Sequence, residues 1–259
     1  MAAALLMMNM HGAVMAADKD LTIFRYSDKV PFAIMVDPTS RFQWEDIIMN
    51  YQSEMSLSRE SPFSIWCEDF AAYLTVFFNQ ANADVLNTEA DKKVICVGYD
   101  AKSMFPQAAI LTMLGTEDGI KMEPIAHAVT PQKPVFHQYL GNIGNIRILL
   151  GGMSDDIKEQ LVQLFANELA NVLGNDDAAE ALISKYYDDL CTDFESIQLD
   201  KQVTSAISDF TVKDMVAMAE NLIDTESLQH NSPLTSTREI GIVTMAEGFK
   251  WIKHSLYGA

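Results

Sequence analysis

The chain has 259 residues and a formal net charge of −18 at neutral pH, a balance that repels phosphate backbones and anionic headgroups and excludes nucleic acid and membrane surfaces as expected partners. Hydrophobic residues make up 49% and charged residues 21%, which fits an ordinary globular protein long enough to bury a sizeable core. Cys67, Cys96 and Cys191 are widely spaced and form no CxxC pair, so the expected setting is reducing and cytoplasmic.

Met1 to Asp18 reads as a β-hairpin, two apolar runs reversing at His11-Gly12. The run falls short of the roughly 18 to 20 apolar residues a membrane helix needs, because Asn9, His11 and Asp18 interrupt it. A competing reading makes the same stretch the leader of an exported binding protein cleaved before Ala17. Against it, no Lys or Arg precedes Lys19, so the positive n-region is absent.

Leu21 to Tyr26 and Val30 to Val36, separated by Ser27-Asp28-Lys29, read as a second hairpin. Phe42, Trp44, Ile47, Ile48, Tyr51 and Met55 then recur at helical spacing, which predicts a helix over about Gln43 to Met55. Ser61-Pro62 marks the start of the next helix, whose aromatic stripe from Phe63 to Phe78 runs on to about Ala83. An apolar face of that kind is expected to pack on a sheet.

Strands are expected at Lys93 to Tyr99, Ala108 to Leu114, Ile120 to His127 and Asn145 to Leu150, with a loop through Pro131 and Pro134. Helices are expected from Ser154 to about Leu173, from Asn175 to about Phe194 and from Thr211 through Ile223. A closing hairpin joins Glu239–Met245 to Phe249–Lys253 across Ala246-Glu247-Gly248. Strands, helices, strands, helices, strands in that order predict an α+β protein, a four-layer αββα sandwich formed as a single domain over 1–259.

The five histidines form no HxxxH or HxH pair, and Gly141-Asn142-Ile143-Gly144 lacks the spacing of a nucleotide loop. No metal or cofactor is therefore expected.

His11-Gly12-Ala13-Val14-Met15-Ala16-Ala17-Asp18, the Trp44-Glu45-Asp46-Ile47-Ile48 helix and the closing Ile240-Gly241-Ile242-Val243 with Gly248-Phe249-Lys250-Trp251-Ile252 resemble the N-terminal nucleophile hydrolases of the proteasome β-subunit type and their bacterial relatives. The resemblance implies an N-terminal nucleophile activated by its own α-amine, a lysine beside it, an oxyanion-binding amide, and assembly into homo-oligomers or with a paralogous subunit. Carried onto this chain, the nucleophile position is Ala2, the lysine position Thr22 and the oxyanion position Pro38, with Thr39 one residue away. Asp18 is retained. A methyl group cannot attack a carbonyl and proline has no N–H to donate, so no catalytic residue is expected intact. The expectation is a catalytically silent structural or interaction subunit, the alternative a threonine-type amidohydrolase or peptidase whose nucleophile has been replaced by Ala2.

Overall fold

The computed structural model describes residues 3–19, 21–26, 32–55, 57, 61–80, 93–100, 103–116, 119–141, 203–229 and 239–254, with scattered positions between 163 and 181. Ala2, Lys29, Cys191, the strand expected at Asn145–Leu150 and nearly all of the helix expected over 175–194 lie outside the described residues. The chain divides into two compact units, Met1–Ile143 with Ser208–Ala259, and Gly144–Ile207. Described residues of the second unit are helical positions between 163 and 172, Gly174, Ala181 and most of α3 (Val203–Ser208). The described strands all belong to the first unit.

The opening reversal is set by Asn9. Ala3–Asn9 (β1) and Gly12–Ala17 (β2) pair antiparallel with Asn9 opposite Gly12. The Asn9 side-chain oxygen accepts the His11 N–H at 2.9 Å, an Asx turn, and its amide donates to the Phe210 carbonyl at 2.7 Å. A buried polar side chain thus finds partners on both sides. Gly12 is favoured by close approach, since a Cβ there would meet Val212 and the Val243 carbonyl at 3.1 Å.

The second hairpin, β3 (Ile23–Arg25) and β4 (Ala33–Val36), enters a different sheet. After it come α1 (Trp44–Glu54) and α2 (Phe63–Gln80). Glu45 and Asp46 sit in the first turn of α1, where carboxylates complement the helix dipole. β5 (Lys93–Gly98), β6 (Gln107–Thr116), β7 (Gly119–Ala128) and β8 (Val135–Gly141) follow. Then come α4 (Val212–Gln229), β9 (Glu239–Thr244) and β10 (Gly248–Lys253). Thr211 and Asp214 cap α4 reciprocally, each backbone N–H donating to the other's side chain, at 3.0 and 3.3 Å. No helix among the described residues is long and apolar enough to cross a membrane.

The strands make two five-stranded sheets, β10-β9-β2-β1-β8 and β3-β4-β5-β6-β7, and every pairing is antiparallel. The protein is mixed α+β. β8 corrects the sequence reading, which ran a loop through Pro131 and Pro134 and set no strand between Pro134 and Asn145. Residues 135–141 pair with β1 over its whole length, Ala3 opposite Gly141 and Asn9 opposite Val135. The segment is an edge strand, half-buried along most of its length, so the apolar alternation that marks a strand is interrupted by His137 and Gln138.

Strand alternation sends side chains to opposite faces, and the second sheet has two different cores to fill. On one face Ile34, Val36, Val94, Cys96, Ala109 and Leu111 meet the α1–α2 stripe of Trp44, Ile47, Tyr51, Trp66, Phe70, Leu74 and Phe78. Tyr26 is the hub, with the rings of Phe32, Tyr51, Trp66 and Phe70 edge-on at 5.5 to 6.1 Å and its hydroxyl donating to the Trp66 carbonyl. On the other face Ile23, Ala33, Met35, Ile95, Val97 and Ala108 pack on Ala4, Leu6, Met8, Ala13, Met15 and Ala17 of the first sheet. α4 packs on β1 and β2. Leu5, Met7, Val14 and Ala16, which alternate with the first sheet's contributions, are also buried.

Truncating the aromatic core without collapse leaves a cavity. Phe70, fully buried, replaced by alanine is expected to cost about 3 to 5 kcal/mol in urea denaturation. Val76→Ala, at a side chain 58% exposed, should stay within about 0.5 kcal/mol of the parent.

Candidate functional site

β2 ends at Ala17, and the chain leaves the sheet through Asp18. Asp18 closes the open end of the hairpin: its N–H donates to the Ala3 carbonyl at 3.2 Å and its Oδ1 accepts the Ala3 N–H at 2.8 Å. Partial burial raises its carboxyl above the ordinary range, the Glu226 charge pushes the same way, and the Ala3 bond opposes them. Lys19 reaches across to donate its amine to the Pro38 carbonyl at 2.6 Å.

The chain then turns at Leu21, a non-glycine residue in the left-handed region with φ 59°. Its amide and those of Thr22 and Ile23 converge on the Glu239 carboxylate at 3.0, 3.0 and 2.9 Å. Glu239 is buried at the start of β9, with His254 Nε2 at 3.7 Å. Burial lifts its carboxyl above the ordinary 4.5, and the three amides pull it back. The Thr22 carbonyl accepts the Val36 N–H at 2.9 Å. The Thr22 side chain is fully buried, and its hydroxyl has no hydrogen-bond partner among the described residues.

The far wall is the loop from Asp37 to Trp44. Asp37 Oδ1 accepts the Thr39 N–H at 2.8 Å and the Thr39 hydroxyl at 2.5 Å, while Oδ2 accepts the Gly141 N–H at 2.9 Å. The loop is thereby tied to the end of β8. Ser40 Oγ accepts the Trp44 indole N–H at 2.8 Å. These walls enclose about 360 Å³, bordered by Asp18, Lys19, Thr22, Pro38, Arg41 and Glu45 among others.

Asp18, Thr22 and Pro38, three of the positions singled out from sequence, therefore border one cavity; Ala2 lies outside the described residues. The neighbouring amide at Thr39 is already given to Asp37. Alternation along a strand would send Lys19 to the face opposite Asp18, and the structure departs from that pattern. The strand stops at Ala17, so alternation no longer governs the next two side chains, and both border the cavity. Sequence reasoning also missed Glu239, which looked like an ordinary strand-start residue. Its only signal is a carboxylate abutting the apolar run Ile240–Val243. Among the described residues no three His, Cys, Asp or Glu side chains group as a metal-binding set.

No protein-family model and no curated protein matches the chain. Among solved structures it is similar to the Anbu (Gly-1) mutant from Hyphomicrobium sp. strain MC1, at 10% identity and TM-score 0.46, over 98% of this chain and 88% of that one. It is also similar to Anbu (ancestral beta-subunit) from Yersinia bercovieri, at 8% identity and TM-score 0.46, over 97% and 87%. At these scores the likeness carries no weight in the assignments.

Because the Glu239 carboxyl titrates above 4.5 in the native chain, the folded state takes up its proton at a higher pH than the unfolded state. The stability tied to that proton is complete below pH 4.5 and lost as pH rises through the native value. Relative to Glu239→Gln, which has no proton to take up, the parent chain should gain stability between neutral pH and 4.5. Urea midpoints across that range check the sign.

Proposed function

We propose that the chain is a proteasome-like subunit of the N-terminal nucleophile hydrolase fold that does not catalyse and serves as a structural or interaction part of an oligomer, homomeric or with a paralogous subunit. The supporting observation is the cavity bordered jointly by Asp18, Thr22 and Pro38. In the family pattern those positions would supply a carboxylate, a lysine and an oxyanion-binding amide. Here they carry a carboxylate holding a backbone amide, a buried hydroxyl and a residue without an N–H.

The helix–sheet core, the sheet–sheet core and the seat of α4 on β1 and β2 support reading the first unit as αββα layers. The reading of 1–259 as one proteasome-like domain belongs to the same proposal. So does a cytoplasmic setting, supported by the free, buried thiols of Cys67 and Cys96.

One observation favours the competing reading of an amidohydrolase or peptidase altered at Ala2: the Lys19 amine borders the cavity. In the structure that amine donates to the Pro38 carbonyl at 2.6 Å. A chain carrying Ala2→Thr and beginning at that threonine is expected to hydrolyse peptide and amide substrates no faster than buffer. Robust turnover by it, abolished by Lys19→Met, would establish the enzyme reading instead.

A further inference from the structure

A second concavity lies between α1 and α2, on the other side of the aromatic core from the sheet. It encloses about 540 Å³, within the range of small-molecule sites. Its walls are aromatic: Tyr51, Tyr73 and Phe77 border it together with the exposed Val76, and the Tyr51 and Tyr73 rings lie 5.3 Å apart, tilted by 54°. Two carboxylates, Glu54 and Asp69, also border it, and none of the described residues lining it is basic.

Asp69 is held in place from beneath. The Tyr51 hydroxyl, on a side chain 1% exposed, donates to its Oδ2 at 2.9 Å. Neither carboxylate has a cationic partner among the described residues. Burial, and after it the Glu54 charge, raise the Tyr73 hydroxyl above its ordinary range. Aromatic faces and unpaired carboxylates attract the same kind of charge, since a ring presents its negative face to a cation. Anions are repelled here, and a neutral apolar molecule leaves the carboxylates unpaired.

We propose that this groove binds a small organic cation, an ammonium or guanidinium head on an apolar body, with the head paired to Asp69 and Glu54 and the body against Tyr51, Tyr73 and Phe77. This site is separate from the cavity at Asp18 and stands whichever way that cavity is read. It gives the chain a ligand chosen by charge and aromatic contact.

The test titrates phenethylammonium chloride into the full chain, followed by calorimetry, with 2-phenylethanol as the neutral isostere. Saturable binding is expected, about tenfold weaker for the alcohol and weakened by added salt. Asp69→Asn keeps an acceptor for the Tyr51 hydroxyl and should weaken the ammonium about tenfold, Glu54→Gln about threefold. Should Asp69→Asn fail to fold in a thermal melt, Glu54→Gln, at an exposed position, carries the comparison. Equal affinity for the alcohol, indifference to the carboxylate substitutions, or no saturation by about 20 mM overturns the proposal.

Discussion

The Glu239 carboxylate is the joint on which this architecture turns. It projects from the first sheet and gathers the backbone amides of Leu21, Thr22 and Ile23, which lead into the second. A left-handed conformation at Leu21 costs on the order of 1 kcal/mol for a residue with a Cβ. That conformation helps aim successive N–H groups at one anion, the geometry of a backbone nest. Strain and charge burial, each unfavourable alone, are partly offset by being placed together. The bond spans more than two hundred residues of sequence, so the crossing between sheets cannot be completed until the C-terminal hairpin is in place.

The cavity is a consequence of that joint. Once residues 21–23 are pinned, Thr22 is committed to the interior, and the Thr22 carbonyl aligns the end of β4 through Val36. Asp37 then ties the next loop to β8, and Lys19 spans the gap to Pro38. Asp18, Lys19, Asp37 and Ser40 each use a side chain to hold the wall together.

Features governed by local chemistry were legible in the sequence. His11-Gly12 announced the first reversal, Ser61-Pro62 the start of α2, and the aromatic spacing from Phe63 to Phe78 a buried helix face. Those signals depend on near neighbours, which a sequence records directly. β8 was hidden because an edge strand need not alternate cleanly, and Glu239 because a buried carboxylate is indistinguishable from an exposed one until its distant partners are known. Lys19 departs from simple alternation for another reason. Alternation is a property of strands, and the sequence did not say that β2 ends two residues earlier. At the candidate site, Asp18, Thr22 and Pro38 were singled out by resemblance, whereas the contacts that fill the site were invisible.

The division into two cores also decides where the chain's indoles sit. Trp44 and Trp66 belong to the core between the helices and the second sheet, while Trp251 packs beside Phe249 on the core between the sheets. The chain has three tryptophans in all. Its intrinsic fluorescence is therefore a composite of two interiors, and a chain keeping only Trp251 would report on the sheet–sheet interface alone. Loosening of one layer could then be told apart from loosening of the other without any added label.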